Sequence, residues 1–394
     1  MRDQIHKIYL SNFLTGLVFW YGIEKLFMRS IGIDAVGIGL ATAVFLVIHL
    51  VLDIPFGILA DKWSRKGVLI FSAVALGVSS AILGASHSLL MYAVGEVFYG
   101  LYIVSTIGTY NAVIYDLLHE DKKTAEYSKV SGRAYALFLG GAGVANVGSG
   151  FLAQHQGYRF TYFITIISCV LNALVLLTLR EPKFHKAENK ERMLRQLKTA
   201  TVAIGKIKLL RALTVVMALL SAVDIFQSEF GQLYAGRYFS SAEIIGLFWA
   251  MFAFAWSFGS LIAHRLRARL HILVVLSAVP FVAMSFIDNW FSLVLFVVQV
   301  VAGAALYNQV ETRIQENTPS AVRASILSVV SSLGTALSVP VGFLFGWAFR
   351  DYNGLFAVRV VAVIAVAMLL FWLLASRGVP HANDPTVAET VPEL

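Results

Sequence analysis

A few ionisable and amide side chains interrupt long apolar stretches of this 394-residue chain. Such groups are costly to bury in a membrane-like interior and tend to be kept for a task. His49 and Asp53 are four residues apart, so on a helix they share one face. An imidazole beside a carboxylate can exchange a proton near neutral pH, which suits proton coupling. A hydrogen-bonded structural pair fits the same spacing. Glu24, next to Lys25, and Glu96 are acids in the outer parts of their stretches. Both are able to attract a cation or a proton, although Glu24 also fits an interfacial position. Asp224 and Gln227, three apart, share a face and are followed by Glu229. His49, Asp53, Glu96 and Asp224 are therefore the proton-coupling candidates. Glu24 and Gln227, with Tyr21, Tyr99, Tyr102 and Trp256, are the candidates for lining a substrate cavity, and the aromatic members fit a lipid-facing or core position equally well. Asn308, Gln309, Glu311 and Arg313 gather toward one helix end, where Glu311 and Arg313 suit a gate or a snorkelling pair better than a ligand site.

Other chemistries find no footing. No G-x-x-x-x-G-K-[ST] loop is present to cradle a nucleotide, no His and Cys spacing suits a metal, and no convincing nucleophile elbow appears. The expectation is no enzyme, no cofactor and no metal. The one cysteine, Cys169, sits in an apolar run and reads as a small buried residue.

The elements that must position these groups are long apolar helices. The chain is 58% hydrophobic and 14% charged, against about 45–50% and about 25% in soluble domains. A spanning helix needs about 20 apolar residues, and twelve such runs can be counted. They lie near 8–28, 34–60, 67–86, 90–118, 128–153 and 158–180, then 209–234, 241–264, 270–287, 290–316, 321–349 and 354–376. The expected organisation is an N-terminal six-helix bundle (1–180), a basic cytoplasmic linker (181–208) and a C-terminal six-helix bundle (209–376). A disordered tail is expected at 377–394. Within the linker, Lys190 to Lys198 suits a short surface helix. With the N-terminus inside, 25 of the 31 Lys and Arg fall in cytoplasmic segments, which orients both termini to the cytoplasm. The same distribution accounts for the net charge of +8 without nucleic acid. The polar start, Met1 to Lys7, does not suit a cleavable signal peptide.

The loop between the second and third runs reads Gly57-Ile58-Leu59-Ala60-Asp61-Lys62-Trp63-Ser64-Arg65-Lys66-Gly67. It resembles the signature of the major facilitator superfamily, G-x-L-a-D-r-x-G-R-K, in the place where that family carries it. Asp53-Ile54-Pro55-Phe56-Gly57 and Thr318-Pro319-Ser320-Ala321-Val322-Arg323-Ala324-Ser325 resemble stretches of its proton-coupled drug-efflux branch. The resemblance implies an all-α membrane protein of twelve transmembrane helices in two six-helix bundles. It also implies a cytoplasmic gate in which Gly57, Asp61, Arg65 and Lys66 act with an acid on span four, here Asp116. Four departures stand out. Ser64 replaces a Gly, which suggests a looser turn. Glu96 stands where an Arg is common. No Pro follows the span-five glycines (140, 141, 143, 148 and 150). The second-half counterpart of the signature is only His264-Arg265-Leu266-Arg267.

The implied function is secondary active transport by alternating access, with proton-coupled efflux of a lipophilic or amphiphilic compound as the first expectation. Proton-coupled uptake of a nutrient or metabolite is the alternative, as is a non-transporting lipid or receptor role on the same fold. Expected partners are a small-molecule substrate, a proton and the lipid bilayer of a cell membrane, around a monomer.

Overall fold

The computed structural model describes residues 2–62, 64–106, 108–181, 190–266, 269–318 and 323–376. The expected tail at 377–394, Trp63 of the signature loop, Arg267 of its counterpart, residues 182–189 of the linker and Pro319 to Val322 before span eleven lie outside the described residues. The side-chain placements of Gly57 and Asp61 lie outside them too.

The described residues are helical, with no strand among them. The first span is not one helix. It divides into α1 (Arg2–Gly16) and α2 (Glu24–Ser30). An uninterrupted run near 8–28 was expected, and the reason for the break lies far along the chain. Thr165 Oγ1 accepts from the Phe19 amide at 3.0 Å, and Ser168 Oγ donates to the Leu17 carbonyl at 2.9 Å. Inside a bilayer an unwound backbone persists only where protein groups satisfy it.

The following spans are α3 (Ala35–Lys62), α4 (Arg65–Ala85), the pair α5 (Leu89–Thr106) and α6 (Thr109–Glu120), then α7 (Tyr127–Gln156) and α8 (Tyr158–Leu177). The linker helix α9 (Lys190–Lys206) is longer than expected, and Ala200 and Ile204 join the hydrophobic core of the second half. Span seven is α10 (Lys208–Ile225), a π-helical turn over Phe226–Phe230, and α11 (Gly231–Ala235). The remaining spans are α12 (Ala242–Ile262), α13 (Leu270–Met284), α14 (Ser292–Glu316), α15 (Arg323–Asp351) and α16 (Gly354–Ser376). Ten of these segments are long and apolar enough to cross a membrane. The broken first span and the fifteen-residue α13 fall below that length.

Two compact units emerge. Unit 1 comprises Met1–Ala187 and Phe239–Ala250, and unit 2 comprises Glu188–Tyr238 and Met251–Leu394. In unit 1, α1 and α7 cross backbone to backbone. A Cβ on Gly141 would strike the Phe13 carbonyl and lie 3.3 Å from Gly16 Cα, the close approach that small residues permit. Of the other span-five glycines, Gly150 meets Ala242 and Glu243 in the same way, whereas Gly140 and Gly143 face open space.

Candidate functional site

The α3–α4 loop is built around the start of α4. Ser64 is the N-cap, extended at φ −168°, and its Oγ accepts from the Gly67 amide at 2.7 Å. Its own proton goes to Glu181 at 2.6 Å, and the same carboxylate accepts from the Arg65 amide at 3.0 Å and the Lys66 amide at 3.5 Å. An anion at a helix N-terminus meets both unpaired N–H groups and the positive end of the helix dipole. The serine that stands in place of glycine thus supplies a cap that glycine lacks.

Arg65 is ion-paired with Asp116 on α6, and its Nη1 also donates to the Ala112 carbonyl at 3.0 Å. Lys66 Nζ donates to the Leu177 carbonyl at 2.7 Å, and Arg180 pairs with Glu120 at 2.5 Å. A cavity of about 730 Å³ adjoins this network, lined by Asp116, His119, Glu120, Asp121, Lys122, Thr124 and Arg180. At the start of α1, Lys7 bonds Asp3 at 2.8 Å and holds that carboxyl below its ordinary range.

Deeper in unit 1, the unwound stretch of the first span delivers its aromatic residues to α4, α5 and α8. The Tyr21 and Tyr99 hydroxyls are hydrogen-bonded, and the Tyr99 ring lies 5.8 Å from that of Tyr102. Trp20 stacks on Tyr162 at 5.3 Å and donates to Ser80 at 3.1 Å. Glu24 is buried, paired with Lys25 at 2.9 Å, and accepts from Tyr92 at 3.0 Å. Tyr92 continues to Tyr162 at 3.1 Å. Glu96, also buried, lies within electrostatic reach of Tyr92 and Tyr162. Glu24 is therefore a buried member of an ion pair within the protein. A second network closes on itself nearby. Ser11 bonds Tyr110 and Asn172, both at 2.6 Å, while Thr15 bonds Tyr110 at 3.0 Å and accepts from Asn172 at 2.9 Å.

His49 and Asp53 share α3 but are not joined by a hydrogen bond or ion pair. His49 stacks on Phe45 instead, at 6.2 Å. In unit 2, the π-turn carries Gln227, whose Nε2 donates to Gln299 Oε1 on α14. Asp224 stands just before that turn, and Trp256 on α12 packs on Tyr307 at 6.2 Å. Unit 1 thus holds Tyr21, Glu24, His49, Asp53, Gly57, Asp61, Arg65, Lys66, Glu96, Tyr99, Tyr102 and Asp116, and unit 2 holds Asp224, Gln227 and Trp256. Sequence reasoning missed Tyr92, Tyr162, Glu181 and Gln299. Gln299 had a signal, a lone amide in Val297-Val298-Gln299-Val300. Glu181 had none, because its partner lies 117 residues away.

The sequence profile of the Major Facilitator Superfamily matches residues 8–338. An uncharacterised transporter of that type from Methanocaldococcus jannaschii is 23% identical over 199 residues, 49% of each chain. The quinolone resistance protein NorA of Staphylococcus aureus is 21% identical over 186 residues, covering 46% of this chain and 47% of NorA. In both cases, the match spans about half the length of the curated relative. Among solved structures, the nucleoside transporter NupG superposes with a TM-score of 0.79 at 16% identity, covering 96% of this chain and 100% of that one. A D-xylose–proton symporter superposes at 0.75 and 13% identity, covering 97% and 98%. These likenesses concern the fold.

Proposed function

The chain belongs to the major facilitator superfamily, and on that premise we propose that it is a secondary active transporter exporting a lipophilic or amphiphilic compound by alternating access, in exchange for protons. The observation that carries the reading is the buried carboxylate and tyrosine cluster of unit 1. Glu24 and Glu96 lie among Trp20, Tyr21, Tyr92, Tyr99, Tyr102 and Tyr162. Aromatic faces suit an amphiphilic cargo, and carboxylates held in an apolar interior suit a proton as the coupling ion. Similarity to NorA over part of the chain supports export. Arg65 and Asp116, held by Ser64 and Glu181, are proposed as the gate, with Gly57, Asp61 and Lys66 completing its loop.

The two bundles are taken as 1–180 and 209–376, joined by 181–208, in a monomer in a cell membrane. Both termini are placed in the cytoplasm on the distribution of Lys and Arg. No catalytic step is proposed. Proton-coupled uptake of a polar nutrient is the second reading, favoured by the buried amide pair Gln227 and Gln299.

Purified protein in liposomes with an imposed pH gradient tests the proposal. Cargo-dependent proton movement is expected, and its sign gives the direction. Absence of flux with lipophilic compounds and nutrients alike sinks both readings.

A further inference from the structure

One amide in the interior of unit 2 is only half satisfied. Gln299 is fully buried, and its Oε1 accepts from Gln227. Its Nε2 meets no protein acceptor among the described residues. A buried donor without a partner is expensive, so native chains place one where something else meets it.

Two independent features mark the same spot. Gln227 lies in the π-turn Phe226–Phe230, and such turns collect at functional sites. Gly303, four residues after Gln299 on the same helical face, leaves the room beside the amide unfilled. A Cβ built on Gly303 would touch only Gln299, at 3.4 Å from Nε2 and 4.0 Å from Cδ, although Gly303 is itself buried. Interior space therefore adjoins an unused donor. Its neighbourhood is apolar: Phe226, next to Gln227, and Phe296, one turn before Gln299, pack ring to ring at 6.4 Å.

We propose that Gln299, oriented by Gln227, is a cargo-binding group. It would donate its Nε2–H to an uncharged acceptor, a carbonyl or hydroxyl oxygen of the solute. The proposal rests on the transporter reading. Charge on the page favours a neutral acceptor. Asp224 and Glu229 flank Gln227 in sequence and would repel an anion, while an N–H donor cannot serve a cation, whose own N–H groups need acceptors. A ligand without the acceptor would bury the donor unmet, which should discriminate by about tenfold to a hundredfold.

The test uses the solubilised full chain with 9-fluorenone and fluorene, which differ only in the ring carbonyl. Wild type is expected to bind fluorenone at least about tenfold more tightly. Gln299→Met, apolar and of similar length, should bind both alike but lose some stability, because it strands the buried Gln227 donor; adding Gln227→Met should restore the unfolding temperature. Gly303→Ala puts one methyl in ordinary contact with the amide. It should remain folded and lose fluorenone affinity selectively. Equal binding of the two compounds by wild type, or discrimination retained in Gln299→Met, overturns the proposal while leaving the transport reading intact. If neither compound binds, the amide site fails, while flux of other lipophilic compounds in pH-gradient liposomes decides the transport reading separately.

Discussion

Unit 1 surrounds a buried ion pair with hydroxyl groups, whereas the buried π-turn of unit 2 combines phenylalanine rings with an amide pair. In unit 1 the polar side chains close on one another, Glu24 with Lys25 and Tyr92, and Ser11 with Tyr110, Thr15 and Asn172. In unit 2, Phe226 and Phe230 pack against Phe345 and Phe349 around a π-turn whose amide partner keeps one donor unused. The corresponding loops differ in the same sense. The α3–α4 loop is tied by Ser64, Arg65, Lys66, Asp116 and Glu181. Among its described residues, the α12–α13 loop is held by Gln309 Nε2, which donates to the Ala263 carbonyl at 2.6 Å, while His264 meets the Leu261 carbonyl at 2.7 Å. A closed charged network resists rearrangement, because each member left behind is stranded in low dielectric. An open amide carries no such penalty in charge and can take a ligand.

This contrast can be broken by mutation. The largest expected effect is functional. Glu96→Gln should abolish pH-gradient-driven flux in liposomes while gradient-free exchange of cargo persists. Undiminished driven flux would remove Glu96 from the coupling path. Next in size is the buried ion pair. Lys25→Met strands Glu24 and should lower the unfolding free energy in detergent by about 3–5 kcal/mol. Glu24→Gln combined with Lys25→Met should recover most of that loss, and a double variant as unstable as the single one would show that packing, not charge, is at stake.

At the partly buried gate, Asp116→Ala should cost about 2 kcal/mol, and adding Arg65→Ala should cost little more, since both act through one contact. Full additivity in the unfolding curves would mean that the pair is not coupled. The smallest effects concern the cap. Ser64→Ala should cost about 1 kcal/mol, and Ser64→Gly a few tenths plus the lost bond to Glu181. His264→Ala in the other loop should stay within about 0.5 kcal/mol. Equal losses in the two loops would erase the distinction between the units.

Much of the fold was legible because a bilayer imposes length. About 20 apolar residues per crossing is a constraint that reads directly from the chain, and the eleven residues from Gly57 to Gly67 pointed to the family. The site was legible only in part. Tyr21, Tyr99 and Tyr102 are brought together, and Gln227 takes part in a buried contact. His49 and Asp53 share a helix face yet make no bond, because i,i+4 spacing permits contact without requiring it.

By itself, then, the sequence determined that this protein is a stack of apolar helices with acids, tyrosines and amides set into them, since composition and periodicity act locally along the chain. Tertiary structure decided which of those groups found partners. The break in the first span depends on Thr165 and Ser168, the cap of α4 depends on Glu181, and the half-satisfied state of Gln299 depends on a π-turn 72 residues earlier. A hydrogen bond between distant residues leaves no period in the sequence, because its cost and its reward exist only once the helices are packed.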